Sequence, residues 1–85
     1  MIKIVYSEVE SPTEAGLATD LGQTTAVRAV NTSPKAIPVT VMDVEKRVTK
    51  TITLAGGESL ILKKECKDRV YSLSKLVRFA GVSIY

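Results

Sequence analysis

Between Val48 and Leu54, aliphatic residues (Val48, Ile52, Leu54) alternate with Thr49, Thr51 and Thr53. Side chains two residues apart share one face of a strand, so this pattern describes a ribbon with one apolar side and one hydroxyl side. The same chemistry runs through the whole chain. Eleven valines, six isoleucines and nine threonines make 26 of the 85 residues β-branched. Such side chains are stiff at χ1 and suit a pleated, half-buried surface better than a helix. The chain is therefore expected to be all-β. With one Phe, three Tyr and no Trp, its core must be aliphatic.

Other segments fit the same plan. Residues 2–9 read as a strand with Ile2, Ile4 and Tyr6 on one face. Residues 10–22 read as a long loop holding at most one helical turn. Within it, Ser11-Pro12-Thr13-Glu14 has the form of a capping box. Further strands are expected over 23–31, 37–44, 48–54, 59–64, a short piece at 70–71, and 75–85. The Asn31-Thr32-Ser33-Pro34 cluster and Ala55-Gly56-Gly57-Glu58 supply turns, the latter with a glycine at positive φ. In the last strand Val77 and Phe79 lie on one parity and Val82 and Ile84 on the other, which places a bulge or bend at Gly81. No βαβ alternation is visible. Residues 1–85 are expected to form a single domain, a six- to seven-stranded antiparallel β-sandwich of immunoglobulin-like type, with a small β-barrel as the alternative.

Composition excludes much chemistry. There is no histidine, the commonest general base and metal ligand, and the single Cys66 rules out thiolate zinc sites and CxxC redox pairs. Gly56-Gly57 is followed by Glu58-Ser59 rather than the Lys-Ser/Thr of a phosphate-binding loop. No enzyme activity, cofactor or metal is expected. Lone Cys66, in the charged run Lys63 to Arg69, suggests a reducing compartment. No apolar run is long enough to span a membrane, and residues 1–6 read as a strand rather than a signal peptide.

The charge is uneven. Residues 1–45 carry three basic and six acidic side chains, net −3; residues 46–85 carry nine and three, net +6. The candidate contact surface is the basic set Lys46, Arg47, Lys63, Lys64, Lys67 and Arg69. Clustered on one face, such cations would suit phosphates; spread over loops, they would keep sheet edges from aggregating.

Three stretches together resemble small β-sandwich virion proteins of tailed bacteriophages, especially those of marine and cyanobacterial phages. They are Ala26-Val27-Arg28-Ala29-Val30-Asn31-Thr32, Thr51 to Ser59 (TITLAGGES) and Leu62 to Val70 (LKKECKDRV). The similarity covers roughly residues 24–85, and Cys66 stands where a proline is commoner in that group. The resemblance implies a capsid decoration (cement) protein or a small neck or tail adaptor. Such a protein would be made in the host cytoplasm and reside in the virion, oligomeric in assembly, against other virion proteins or copies of itself. The alternative is a small basic nucleic-acid-binding module. A carbohydrate- or receptor-binding sandwich is a third reading, disfavoured by the scarcity of aromatics.

Overall fold

The computed structural model describes residues 2–84, with Met1, Tyr85 and the side chain of Ile84 outside that description. Seven strands occur in it: β1 (Ile2–Glu10), β2 (Ala26–Asn31), β3 (Ile37–Met42), β4 (Val48–Leu54), β5 (Ser59–Lys63), β6 (Arg69–Ser72) and β7 (Val77–Ile84). They form a four-stranded sheet in the order β1-β7-β2-β5 and a three-stranded sheet in the order β4-β3-β6. Every ladder between named strands is antiparallel. This is the expected sandwich. The barrel alternative is not realised, because no ladder among the described residues joins the edges of the two sheets. The last strand lies between β1 and β2, whereas in the immunoglobulin order it pairs with the sixth.

The two inner faces meet over an aliphatic core. Val27, Ala29, Leu62, Val77 and Phe79 come from the first sheet, and Val39, Val41, Leu54 and Val70 from the second. Leu21 joins them from the β1–β2 connection and is fully buried. Its position requires an unusual backbone: Leu21, Gly22 and Gln23 have φ of 53°, 71° and 62°, three consecutive left-handed residues. For Leu this conformation costs about 1 kcal/mol. Local hydrogen bonds offset that cost: Thr19 Oγ1 accepts from the Leu21 amide and Asp20 Oδ1 from the Gly22 amide, both at 3.1 Å. A leucine that turns back into the core at this point stabilises by burying its whole side chain, about 2–3 kcal/mol.

The same connection seals an edge. Thr19 and Val70 exchange backbone hydrogen bonds of 3.1 and 2.8 Å, and the Ser72 amide donates to Pro12 O at 3.1 Å. The free side of β6 is thereby covered. The connection contains one 3₁₀ turn, Ala15–Leu17, whose N-terminus has no side-chain cap. The segment is the expected long loop with one helical turn, and its capping-box form is not used, because Ser11 Oγ instead donates to Pro12 O and accepts from Ser72 Oγ.

The sequence placed an irregularity at Gly81, and the structure puts it on the neighbouring strand. β7 pairs with β2 without interruption from Asn31↔Val77 to Ala26↔Val82. Against β1 the register shifts twice, between Ile4 and Tyr6 and between Tyr6 and Val9. The extra residues are therefore in β1. Consequently Ile4 faces Val82 while Tyr6 faces Gly81, on opposite sides of the sheet, so Ile2, Ile4 and Tyr6 do not share a face. Gly81 is needed for space: a Cβ there would lie 2.6 Å from Thr24 Cγ2 and 2.7 Å from Tyr6 Cβ.

Candidate functional site at the basic end of the sandwich

All six candidate cations lie at one end of the sandwich, and the strand registers show why. Met42 pairs with both Val48 and Arg69, so the β3–β4 turn carrying Lys46 and Arg47 sits beside the start of β6. Lys63 closes β5 opposite Ala26, and Lys64 and Lys67 follow in the β5–β6 connection. Lys50 Nζ on β4 donates to Lys63 O at 2.7 Å and ties the two layers together.

Their individual environments differ. Asp43 organises the β3–β4 turn. Its Oδ1 accepts from the amides of Glu45 and Arg47, both at 2.9 Å, while Lys46 sits at φ 65°. The Arg47 amide, with help from the Glu45 amide and the Arg47 guanidinium, holds the Asp43 carboxyl below its usual value. Arg47 is itself engaged, 3.1 Å from Asp43 Oδ2 and 3.0 Å from Glu45 Oε2.

Lys64 is the exception among the six, being only 7% exposed. Its ammonium donates to Thr24 O at 2.6 Å, Glu65 O at 3.2 Å and Cys66 O at 3.3 Å. Its amide bonds Thr25 O at 2.9 Å. Burial pushes its pKa below the ordinary lysine value, opposed by the charges of Asp20, Asp68 and Cys66. Lys64 is thus an internal clamp between the β1–β2 and β5–β6 connections, with its three protons committed to carbonyls. Lys46, Lys63, Lys67 and Arg69 make no ion pair among the described residues.

A shallow depression of about 350 Å³ opens here, lined by Thr49, Lys50, Lys63, Lys64, Glu65 and Asp68. Glu65 and Asp68 share its lining with the three lysines, so it offers no uniformly positive cradle. Cys66 is exposed in the same connection.

A second surface was not singled out by the charge pattern. Every residue of β1 except Val9 is exposed, including Ile2, Ile4, Val5 and Tyr6. The signal was present in the sequence: apolar residues occupy both parities from Ile2 to Tyr6, more than one buried face requires. β1 is also an edge strand, with one side of its backbone unpaired among the described residues.

No family model, no curated protein and no solved structure matches the chain.

Proposed function

We propose that this protein is a non-enzymatic structural protein that works by binding other proteins, and specifically a component of a tailed-phage particle. A capsid decoration (cement) protein or a small neck or tail adaptor is the expected type. The observation that carries the reading is the exposed apolar edge strand β1, with Ile4 61% and Ile2 54% accessible on a small sandwich. Apolar side chains on an unpaired edge favour protein contacts, since each such contact removes apolar surface from water and satisfies backbone groups. The resemblance of residues 24–85 to phage sandwich proteins supports the virion setting. The composition, without histidine and with one cysteine, supports a role without catalysis.

The nucleic-acid reading is the weaker one. Lys64 is committed to carbonyls, Lys50 to Lys63 O and Arg47 to two carboxylates. The remaining four cations would release counterions steeply. Four phosphate contacts on duplex DNA imply that a fourfold rise in salt lowers affinity by roughly two orders of magnitude.

The deciding experiment sediments the tagged protein with particles from a lysate in which it is naturally made, with and without nuclease. Pelleting with particles of defined mass, unchanged by nuclease and only weakly salt-dependent, is the expected result. Release by nuclease would overturn it and make the basic end a nucleic-acid interface.

A further inference from the structure

The N-terminal half of β1 is held to its own sandwich by one ladder and one seated side chain. Among the described residues it pairs with β7 alone, through Ile2↔Ile84, Lys3↔Ser83, Ile4↔Val82 and Tyr6↔Gly81. Val5, Ser7 and Glu8 have no Cα partner in β7, because the two register shifts fall there. From Glu8 onward the chain is fastened: the Glu8 carboxylate accepts from the Arg78 guanidinium on β7. Val9 packs against the core, Glu10 pairs with Arg78, and the buried Ser11 donates its amide to Val77 O at 2.8 Å. Ser7 is therefore the hinge between an anchored base and a five-residue arm, Ile2–Tyr6, about 16 Å long. A bulge interrupts the ladder and bends the strand, as a hinge requires.

The arm's apolar groups are mostly in water. Ile2, Ile4, Val5 and Tyr6 are 54%, 61%, 52% and 39% exposed. Tyr6 is its one seated side chain. Its ring packs where Gly22 leaves room, since a Cβ there would lie 2.9 Å from Tyr6 Cδ2, and its base rests against Gly81.

From these features we infer that Ile2–Tyr6 is an exchangeable arm that pairs with the β7 edge of a second copy. The occupant is fixed by the geometry already present. The β7 edge and the Gly22–Gly81 seat accept this sequence in this register, and an identical arm from a neighbour makes every one of the same contacts. Exchange leaves the ladder energy unchanged and adds something that self-docking lacks. Where two arms cross, Ile2, Ile4 and Val5 enter the crevice between the copies and leave water. Reciprocal exchange about a two-fold axis is the closed form of this contact. The inference deepens the reading of the protein as a structural component that assembles.

The test uses the full chain with Cys66→Ser, adding Ile4→Cys and Val82→Cys at directly opposed positions. Its oligomeric state is measured by sedimentation and its disulfides by denaturing electrophoresis after air oxidation. The expected result is an oligomer in which most of the disulfide joins two chains. As a second measurement, the Ile4→Cys and Val82→Cys single variants, each also carrying Cys66→Ser, are mixed, refolded together and oxidised. Mass spectrometry is then expected to find a disulfide-linked peptide pair, one peptide from the Ile4→Cys chain and the other from the Val82→Cys chain. An oligomer whose disulfide stays within each chain would mean that copies meet by another surface, such as edge-to-edge pairing of intact β1 strands, and would overturn the inference. So would a monomer at every concentration. Either result, with particle sedimentation intact, removes the arm and leaves the virion reading standing.

Discussion

The two ends of the sandwich solve one problem with different chemistry. Each must satisfy carbonyls where connections pass from one sheet to the other. At one end the neutral amide of Asn31, fully buried, donates to Lys35 O at 2.7 Å, Leu54 O at 2.9 Å and Ala55 O at 3.2 Å. Its Oδ1 accepts from the Ser33 amide at 2.9 Å, and its backbone bonds Glu58 O and Gly57 N at 2.9 and 2.8 Å. At the other end the Lys64 ammonium gathers Thr24, Glu65 and Cys66 carbonyls. An amide has no charge to desolvate, so it can be sealed off completely. An ammonium loses hydration on burial, so its carbonyls must return what water gave and its stability becomes pH-dependent. The comparison teaches that the neutral knot is the structural anchor, while the charged one sits where burial is incomplete.

Asn31→Ala tests this most severely. It leaves buried carbonyls and the Ser33 amide without partners, so a loss of about 3 kcal/mol is expected in urea unfolding at neutral pH. A loss below about 1 kcal/mol would show that the knot is not an anchor. Next is Gly56→Ala at the same end. Its Cβ would lie 2.7 Å from both C and O of Pro34 and 2.9 Å from Ser33 O, all backbone atoms that cannot swing away. An expected cost of about 2 kcal/mol follows from overpacking, measured in the same way. A neutral result would mean that the β2–β3 turn yields freely.

Lys64→Met keeps the aliphatic stem and removes the ammonium, with an expected cost of about 1 kcal/mol at pH 7. Its pH dependence has a definite sign. Since the folded pKa lies below 10.5, the unfolded chain binds more proton between the folded pKa and 10.5. Stability from this group therefore rises with pH in that window. The gap between the parent and Lys64→Met should widen on alkaline titration, whereas the gap for Asn31→Ala should stay constant. Parallel curves for both variants would remove the distinction between the two ends. Smallest of all, Lys67→Ala and Arg69→Ala should each change stability by less than about 0.5 kcal/mol, because both side chains are exposed and unpaired among the described residues.

Much of the fold was legible in the residues. The apolar face through Ile52 and Leu54, the turn at Gly56-Gly57 with Gly57 at φ 80°, and the exposed position of Cys66 all follow from local chemistry. Val48 does not keep that face: the register shift between Val41 and Met42 puts an extra residue in β4, so Val48 pairs with Met42 and is 61% exposed. The stretches around Asn31 and Gly56-Gly57-Glu58 were read as separate motifs, and they touch. Their joint presence reports a folding requirement, since one supplies the amide that the other's carbonyls need. The six-residue basic set was legible as a list only. That Lys64 turns inward depends on Thr24, forty residues away in the chain, whose carbonyl receives it.

Period and side-chain shape fixed by themselves that this chain is all-β, that it has short antiparallel strands, and where most turns fall. Each of those depends on neighbours within a few residues, where φ, ψ and χ1 preferences act. Only the tertiary structure decided that β7 lies between β1 and β2, that the connection after β1 seals β6 with Leu21 in the core, and that the bulges opposite Gly81 belong to β1. Those choices are made by contacts between residues far apart in sequence. Their energies depend on which surfaces meet, and no local pattern records that.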